Sequence, residues 1–182
     1  MGNDTIIEKA KAFAARVHAD NKQNDAEKTP RFPHFVEVAG LVTESGGSDS
    51  EIAAAWLHDT VEDTPTTIED IKREFGDGVA EIVHGMTDLP GFEQLPVAER
   101  KAKQAERVRG ESASVRRVKL ADQSSNVQQV GRKVFLDMQG ERALAYIHGA
   151  KAIADACKGV SPFLDKVFQE RYEVALQNLQ SN

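Results

Sequence analysis

The residues best suited to chemistry stand in one short segment, EIAAAWLHDTVEDT, which covers residues 51–64. His58 and Asp59 follow a run of small and apolar residues, and Glu62 and Asp63 lie four positions after them. If one helix continues through the segment, residues four apart share a face, so the four side chains form two adjoining pairs. Imidazole nitrogen beside carboxylate oxygen suits manganese, iron or zinc, and a divalent cation offsets the cost of burying such groups. The segment therefore predicts a metal site.

A solvated helix end with a capping histidine is the plainer alternative for this segment. The alanine-rich approach, Ala53–Ala55, predicts a helix that is buried nearly all round, and the second acidic pair adds charge at its end. Both features favour the metal site over the plainer alternative.

Further metal ligands have to come from other parts of the chain, because one helix cannot complete a metal shell. His34 begins a helical pattern that continues with Val36, Val38 and Leu41. Asp122 follows Val118, Leu120 and Ala121 in the segment VKLAD. Taken singly, each is more often an ordinary structural or exposed residue, but together they predict that two more ligands join His58 and Asp59.

Helical patterns dominate the whole chain, and period-two alternation, a fixed repeat and a low-complexity linker are all missing from the sequence. We therefore expect an all-α helical bundle that forms one domain over residues 1–182. Helices are predicted near residues 5–22, 34–44, 50–62, 66–76, 77–86, 98–109, 113–130, 141–158 and 162–179.

The composition narrows the class of protein. At 182 residues and 40% hydrophobic content, the chain can bury one core without disulfides, and its single cysteine, Cys157, is expected to be a packed, unreactive thiol.

No long apolar run or signal-peptide core is present, so we expect a cytoplasmic protein without membrane attachment. A net charge of −6 without a dense basic run argues against nucleic-acid binding and for a small ligand. The sequence leaves open whether the chain forms a homo-oligomer.

Several segments, taken in order along the chain, resemble the HD phosphohydrolase superfamily, and more narrowly the hydrolase domain of the RelA/SpoT group and the stand-alone small alarmone hydrolases. They include PHFVEVAGLV (33–42), AAAWLHDTVEDT (53–64), FGDGVAEIVHGMTD (75–88), VKLADQSSN (118–126) and YIHGAKAIADACKG (146–159). The resemblance implies a divalent metal, usually manganese. The ligands that it implies are His34, His58, Asp59 and Asp122. The acid–base pair that it implies is Glu62 and Asp63, with the role of each left open.

The same resemblance implies residues that bind the substrate, namely Lys22, Asn126, Arg142 and Tyr146. The sequence also departs from the family pattern. Of the usual basic cluster after the first helix only Lys22 clearly remains, and Val97 stands near the place of a lysine that the family often has before Glu99. Arg31, Arg100 and Lys101 could substitute for these losses, and Lys119 could pair with an acid near the site.

The resemblance favours a nucleotide as the small-molecule substrate and predicts removal of the 3′-pyrophosphate from guanosine tetra- or pentaphosphate, giving GDP or GTP. The altered basic residues motivate a second hypothesis, an HD hydrolase of a 3′-pyrophosphorylated adenosine nucleotide or of a phosphate of NADPH. A third hypothesis is a catalytically silent nucleotide-binding module. The presence of all six metal and acid–base residue types argues against it.

Overall fold

A computed structural model of the chain describes residues 5–19, 31–133 and 138–181. Within these ranges the chain forms helices and no strand, which confirms the all-α prediction. The helices are α1 (Ile6–Val17), α2 (Arg31–Glu44), α3 (Asp49–Leu57), α4 (Thr60–Asp63), α5 (Ile68–Phe75), α6 (Asp77–Met86), α7 (Val97–Arg109), α8 (Ala113–Gly131), α9 (Gly140–Cys157) and α10 (Pro162–Gln180), with a short 3-10 helix at Phe92–Gln94. None of the described helices is both long enough and apolar enough to cross a membrane.

The chain divides into two compact units, Met1–Thr87 and Asp88–Asn182. Each unit has its own packed helices, which are described separately below. That the whole chain acts as one domain remains a prediction.

The first unit is built around α3. Every residue from Glu51 to Leu57 is buried, and the helix packs against α1, α2 and α6. Ser48 caps its amino end in a reciprocal capping box with Glu51, which satisfies amide groups that would otherwise lack partners. A short helix without an exposed face is thus held in place at the centre of its unit, and its carboxyl end delivers His58.

The prediction of one continuous helix through residues 50–62 is wrong, because α3 ends at Leu57 and α4 begins at Thr60. Asp59 lies between them with φ −96° and ψ −1°, away from ideal helical values. The Ala55 carbonyl, which would accept the Asp59 amide in an unbroken helix, is bound instead by the His58 imidazole at 2.8 Å. The chain therefore turns at the two residues that carry the site.

Other helix boundaries also differ from the sequence prediction. The second helix, α2, begins at Arg31 rather than near His34, so His34 lies within its first turn. The first helix ends at Val17 rather than Lys22, and residue 22 lies outside the described residues. The helix predicted from Thr66 is capped by Thr67 and Asp70, one position later. Gly76 ends it as predicted, with a φ of 85° that favours glycine.

The second unit places α8 against α9 and α10, and α7 against α8 and α9. Most of α8 is buried, including the polar residues Gln123, Ser124 and Ser125. Cys157 on α9 is buried as expected, and burial raises the pKa of its thiol to about 12, which keeps it protonated and unreactive. The hydroxyls of Ser124 and Ser125 find partners within α8, whereas Gln123 is bound by Lys101 from α7.

Candidate functional site

In the first unit the structure brings His34, His58 and Asp59 together. The Nε2 atoms of the two histidines lie 3.2 Å apart, and Asp59 Oδ1 lies 3.3 Å from His58 Nε2. Each residue offers one ligand atom, and these three atoms lie within 4.8 Å of one another. His34 is 9% exposed and His58 2%, whereas the Asp59 side chain is 27% exposed. The cluster is thus buried on the histidine side and open on the aspartate side.

His58 uses its two ring nitrogens differently. Nδ1 lies 2.8 Å from the Ala55 carbonyl oxygen, which can only accept, so Nδ1 carries the proton and donates. In the neutral ring, Nε2 then presents a lone pair toward His34 and Asp59. The ring of Phe35 packs against that of His58 at 5.6 Å between centroids and 87° between planes. Packing and hydrogen bonding therefore fix both the tautomer and the orientation of the imidazole.

This arrangement fits a divalent cation. Ligand histidines in metalloproteins typically donate their second ring N–H to a carbonyl or carboxylate, as His58 does here. Two imidazole nitrogens and a carboxylate oxygen suit zinc, manganese or iron. His34, His58 and Asp59 can therefore hold a metal.

The predicted acid–base pair lies on α4, directly after the cluster. Glu62 is exposed and Asp63 half-buried, and the Asp63 amide donates to the Asp59 carbonyl at 3.0 Å. Neither side chain belongs to the three-residue cluster. Their position leaves both carboxylates accessible to solvent, beside a turn whose backbone also carries Asp59.

Asp122, the fourth predicted ligand, lies on α8 in the second unit and is 5% exposed. Both of its carboxylate oxygens accept hydrogen bonds from amide side chains. Gln123 Nε2 donates to Oδ2 at 2.7 Å, and Asn126 Nδ2 donates to Oδ1 at 2.8 Å. Lys119 Nζ lies 3.9 Å from Oδ2, which is the pairing expected for that lysine. The carboxylate is therefore held from three directions.

The predicted substrate residues fall into different surroundings. Asn126 is half-buried on α8 and is engaged by Asp122. Arg142 is exposed and Tyr146 half-buried, one turn apart on α9, so they share a helix face. Lys22 lies outside the described residues.

Sequence reasoning did not anticipate that Lys101 and Gln123 contact each other in the interior of the second unit. Lys101 is only 3% exposed, and its Nζ donates to Gln123 Oε1 at 2.9 Å and lies 4.2 Å from the centre of the Tyr146 ring. Burial, and then the positive charge of Lys119, lower the pKa of Lys101 to about 7. The sequence analysis named Lys101 as one of three residues that could substitute for missing basic residues; in the structure its amine is buried and donates to Gln123. The available signal was a lysine in the helical pattern of α7 at a position that the packing buries.

A family model described as an HD domain matches residues 10–141 of this chain. The chain is 35% identical over 162 residues to guanosine-3′,5′-bis(diphosphate) 3′-pyrophosphohydrolase MESH1 of Danio rerio, covering 88% of each protein. It is 32% identical over 176 residues to the protein of the same name from Homo sapiens, covering 95% of this chain and 97% of the human protein.

A solved structure is also similar to this chain. It comes from work on a metazoan ortholog of SpoT that hydrolyzes ppGpp and plays a role in starvation responses. The match has a TM-score of 0.82 and 26% identity, and it covers 95% of this chain and 97% of the other.

Proposed function

Since the chain belongs to the HD domain family, we propose that it is a metal-dependent phosphohydrolase that removes the 3′-diphosphate of guanosine tetra- or pentaphosphate, giving GDP or GTP. The observation that carries the proposal is the convergence of His34, His58 and Asp59 on one point, with the His58 tautomer fixed by a backbone carbonyl. The relatives named for this reaction match almost the full length of the chain.

We propose that His34, His58, Asp59 and Asp122 are the metal ligands and that the ion is manganese. Nitrogen and carboxylate donors suit manganese, and two of these donors, His58 and Asp122, are already oriented by hydrogen bonds. When bound, a divalent metal in such a site polarises a phosphoryl oxygen and lowers the pKa of a coordinated water.

Glu62 and Asp63 supply the proton transfers in this proposal. Hydrolysis of a phosphate ester needs a group that accepts a proton from the attacking water and a group that donates one to the leaving oxygen. Both carboxylates are reached by solvent, and both follow the Asp59 turn within one short helix. Their carboxylates can therefore exchange protons with water once the product has left.

Asn126, Arg142, Tyr146 and Lys22 are proposed to bind the nucleotide. The Arg142 guanidinium is exposed on α9 and offers a planar set of donors that matches phosphate oxygens. Tyr146, one turn away, presents a ring that can stack on a sugar or a base and a hydroxyl that can donate. Asn126 donates a hydrogen bond to Asp122 Oδ1, so it lies directly beside a proposed metal ligand.

A related substrate is the second candidate, and one feature of the sequence favours it. Val97 and the uncharged Gln23 and Asn24 stand where the family usually has basic residues, which weakens recognition of distal phosphates or of the base. A 3′-pyrophosphorylated adenosine nucleotide or NADPH then becomes an alternative substrate for the same chemistry.

A nucleotide panel tests the proposed reaction. Purified protein with Mn²⁺ is incubated with guanosine tetraphosphate, the corresponding adenosine compound, NADPH and an unrelated phosphate monoester, and the products are identified by chromatography. We expect pyrophosphate and GDP from the guanosine compound. Cleavage of the monoester alone would overturn the alarmone assignment and leave only a general phosphohydrolase.

A matched pair of arginine variants tests the substrate residues. Arg142→Ala is expected to raise the KM of the preferred nucleotide, whereas Arg109→Ala, which removes an exposed arginine at the end of α7, should leave it unchanged. Equal kinetics for wild type and Arg142→Ala would refute the proposed binding role while leaving the chemistry intact.

We further propose that the enzyme works in the cytoplasm. The single cysteine, a buried free thiol, supports this location, because disulfides are rare in the cytosol. Its state of assembly can be measured by sedimentation of the purified chain.

A further inference from the structure

Lys101 on α7 is a buried lysine to which the proposed reaction gives no task. Its side chain is 3% exposed, and its stem lies so close to Gly149 on α9 that a Cβ at that glycine would fall 2.4 Å from the Lys101 Cβ. Burying an ammonium group is unfavourable unless polar partners compensate. A lysine in such a position needs partners for its amine.

The amine of Lys101 decides which way the Gln123 amide points. Nζ donates to Gln123 Oε1 at 2.9 Å. In its protonated form, which predominates below pH 7, the amine can only donate, so it faces the amide oxygen and not the amide NH₂. The NH₂ group of Gln123 therefore points the other way, where it donates to Asp122 Oδ2 at 2.7 Å.

These two hydrogen bonds link Lys101 to the Asp122 carboxylate. The other oxygen of that carboxylate, Oδ1, accepts from Asn126, and Lys119 Nζ lies 3.9 Å from Oδ2. Without Lys101, the buried Gln123 oxygen loses its donor from α7. The Gln123 side chain can then leave this position to reach another donor, and Asp122 Oδ2 would lose its amide partner. The orientation of Asp122 thus depends on a lysine from a different helix.

We propose that Lys101 is a positioning residue that sets the Asp122 carboxylate for metal binding through Gln123. The inference rests on the proposed function, in which Asp122 is a metal ligand. It assigns to Lys101 no contact with the metal or the substrate. Partners that orient a ligand from outside the coordination shell typically contribute about 10–100-fold to metal affinity or activity.

The test is Mn²⁺ affinity, measured by calorimetry in the absence of nucleotide. Lys101→Met keeps the length of the stem and removes the donor, and Gln123→Met removes the link itself. We expect each single variant to weaken Mn²⁺ binding by about 10–100-fold. Because Lys101 acts through Gln123, the double variant should bind no more weakly than Gln123→Met alone. Lys103→Met, an exposed lysine on the same helix, is the control and should bind as wild type does.

The outcomes separate this inference from the proposed function. Wild type that binds no Mn²⁺ would overturn the metal site and the inference together. Wild type that binds, with folded Lys101→Met binding equally well, would overturn the inference alone. A rise in KM without a loss of Mn²⁺ affinity would mean that Lys101 acts through the Tyr146 ring, which also contradicts it. If Lys101→Met does not fold, unchanged affinity in Gln123→Met would still refute the inference.

Discussion

At the scale of single residues, the two acids of α4 differ in exposure but occupy the same short helix. Glu62 is exposed and Asp63 half-buried, and both lie outside the cluster of His34, His58 and Asp59 that can hold a metal. Loss of either charge should therefore affect proton transfer more than metal binding. This separation of roles is what distinguishes an acid–base pair from additional ligands.

Neutral replacements of these acids give the first prediction. Glu62→Gln and Asp63→Asn are nearly isosteric, so we expect unchanged Mn²⁺ affinity and a fall in kcat of about 10²–10⁴-fold, the usual contribution of a general acid or base. Steady-state kinetics and calorimetry on the same samples check both halves. Glu69→Gln, an exposed change at the start of α5, serves as the control. Wild-type rates in both variants would show that the pair is structural.

Lys101 gives a prediction about pH. Its pKa falls from 10.5 to about 7 in the folded protein, mainly because burial disfavours the charged form. Below pH 7 Lys101 is charged in both the folded and the unfolded state, so folding has to bury the charge. Between pH 7 and 10.5 the folded protein releases this proton while the unfolded chain keeps it, so the penalty for burial decreases as the pH rises. The free energy of unfolding of wild type should therefore rise with pH relative to that of Lys101→Met.

Urea unfolding of wild type and Lys101→Met in chelator, at several values between about pH 6 and 10, measures this difference. Other titrating groups are common to both proteins and cancel. Lys103→Met should show a difference from wild type that does not change with pH, because that lysine is exposed. A pH-independent difference for Lys101→Met would mean that Lys101 keeps an ordinary pKa.

The residue types of the metal cluster could be predicted from the sequence, whereas the support for Asp122 could not. His58 and Asp59 stand out because a run of small apolar residues leads directly to them. The bond from Lys101 to Gln123 joins positions 22 residues apart, and it exists only because α7 packs beside α8. Helical spacing places Lys101 on the face of Ala105 and Val108 and leaves Lys103 exposed, but it does not show that the Lys101 amine meets Gln123.

At the scale of helices, α1, α3, α5, α8 and α10 begin at residues whose side chains cap them. Ser161 followed by Pro162 starts α10 as the sequence predicts, because the serine side chain accepts the Leu164 amide and proline suits the first turn. The break between α3 and α4 was not predictable in this way. It depends on a side chain, His58, that competes for a backbone carbonyl, and no glycine or proline marks the position.

Two glycines in helices test how closely these elements pack. Gly131, at the end of α8, faces α10 so closely that a Cβ would lie 2.7 Å from the Ala175 Cα, a backbone atom that cannot move aside alone. Gly131→Ala should therefore destabilise the fold by about 1–3 kcal/mol. Gly40 in α2 has nothing within 4 Å of the same position, so Gly40→Ala should stabilise by about 0.5–1 kcal/mol.

Denaturant unfolding of the two alanine variants compares the same change in two settings. Opposite signs are the expected result, because alanine is the better helix former wherever its methyl group has room. A stable Gly131→Ala would show that α8 and α10 can separate at little cost.

At the scale of the whole molecule, the charge and the metal act together. The chain carries a net charge of −6, and the proposed ligand set adds two carboxylates to two neutral imidazoles. A divalent cation neutralises that pair of charges, so metal binding should stabilise the folded chain as well as enable the reaction. A ligand that binds only the folded state contributes about 2.7 kcal/mol at a hundredfold excess over its Kd.

The last prediction is that Mn²⁺ raises the melting temperature and that Asp122 is needed for most of the rise. For a chain of this size, each kcal/mol shifts the melting temperature by about 2–4 °C, so saturating Mn²⁺ should raise it by roughly 5–10 °C over protein in chelator. Asp122→Asn keeps the side-chain shape but removes a charged ligand, and at the same Mn²⁺ concentration its shift should be much smaller. Asp165→Asn on α10, remote from the proposed ligands in the sequence, is the control and should keep the full shift. A full shift in Asp122→Asn would leave His34, His58 and Asp59 as a site that binds metal without the second unit.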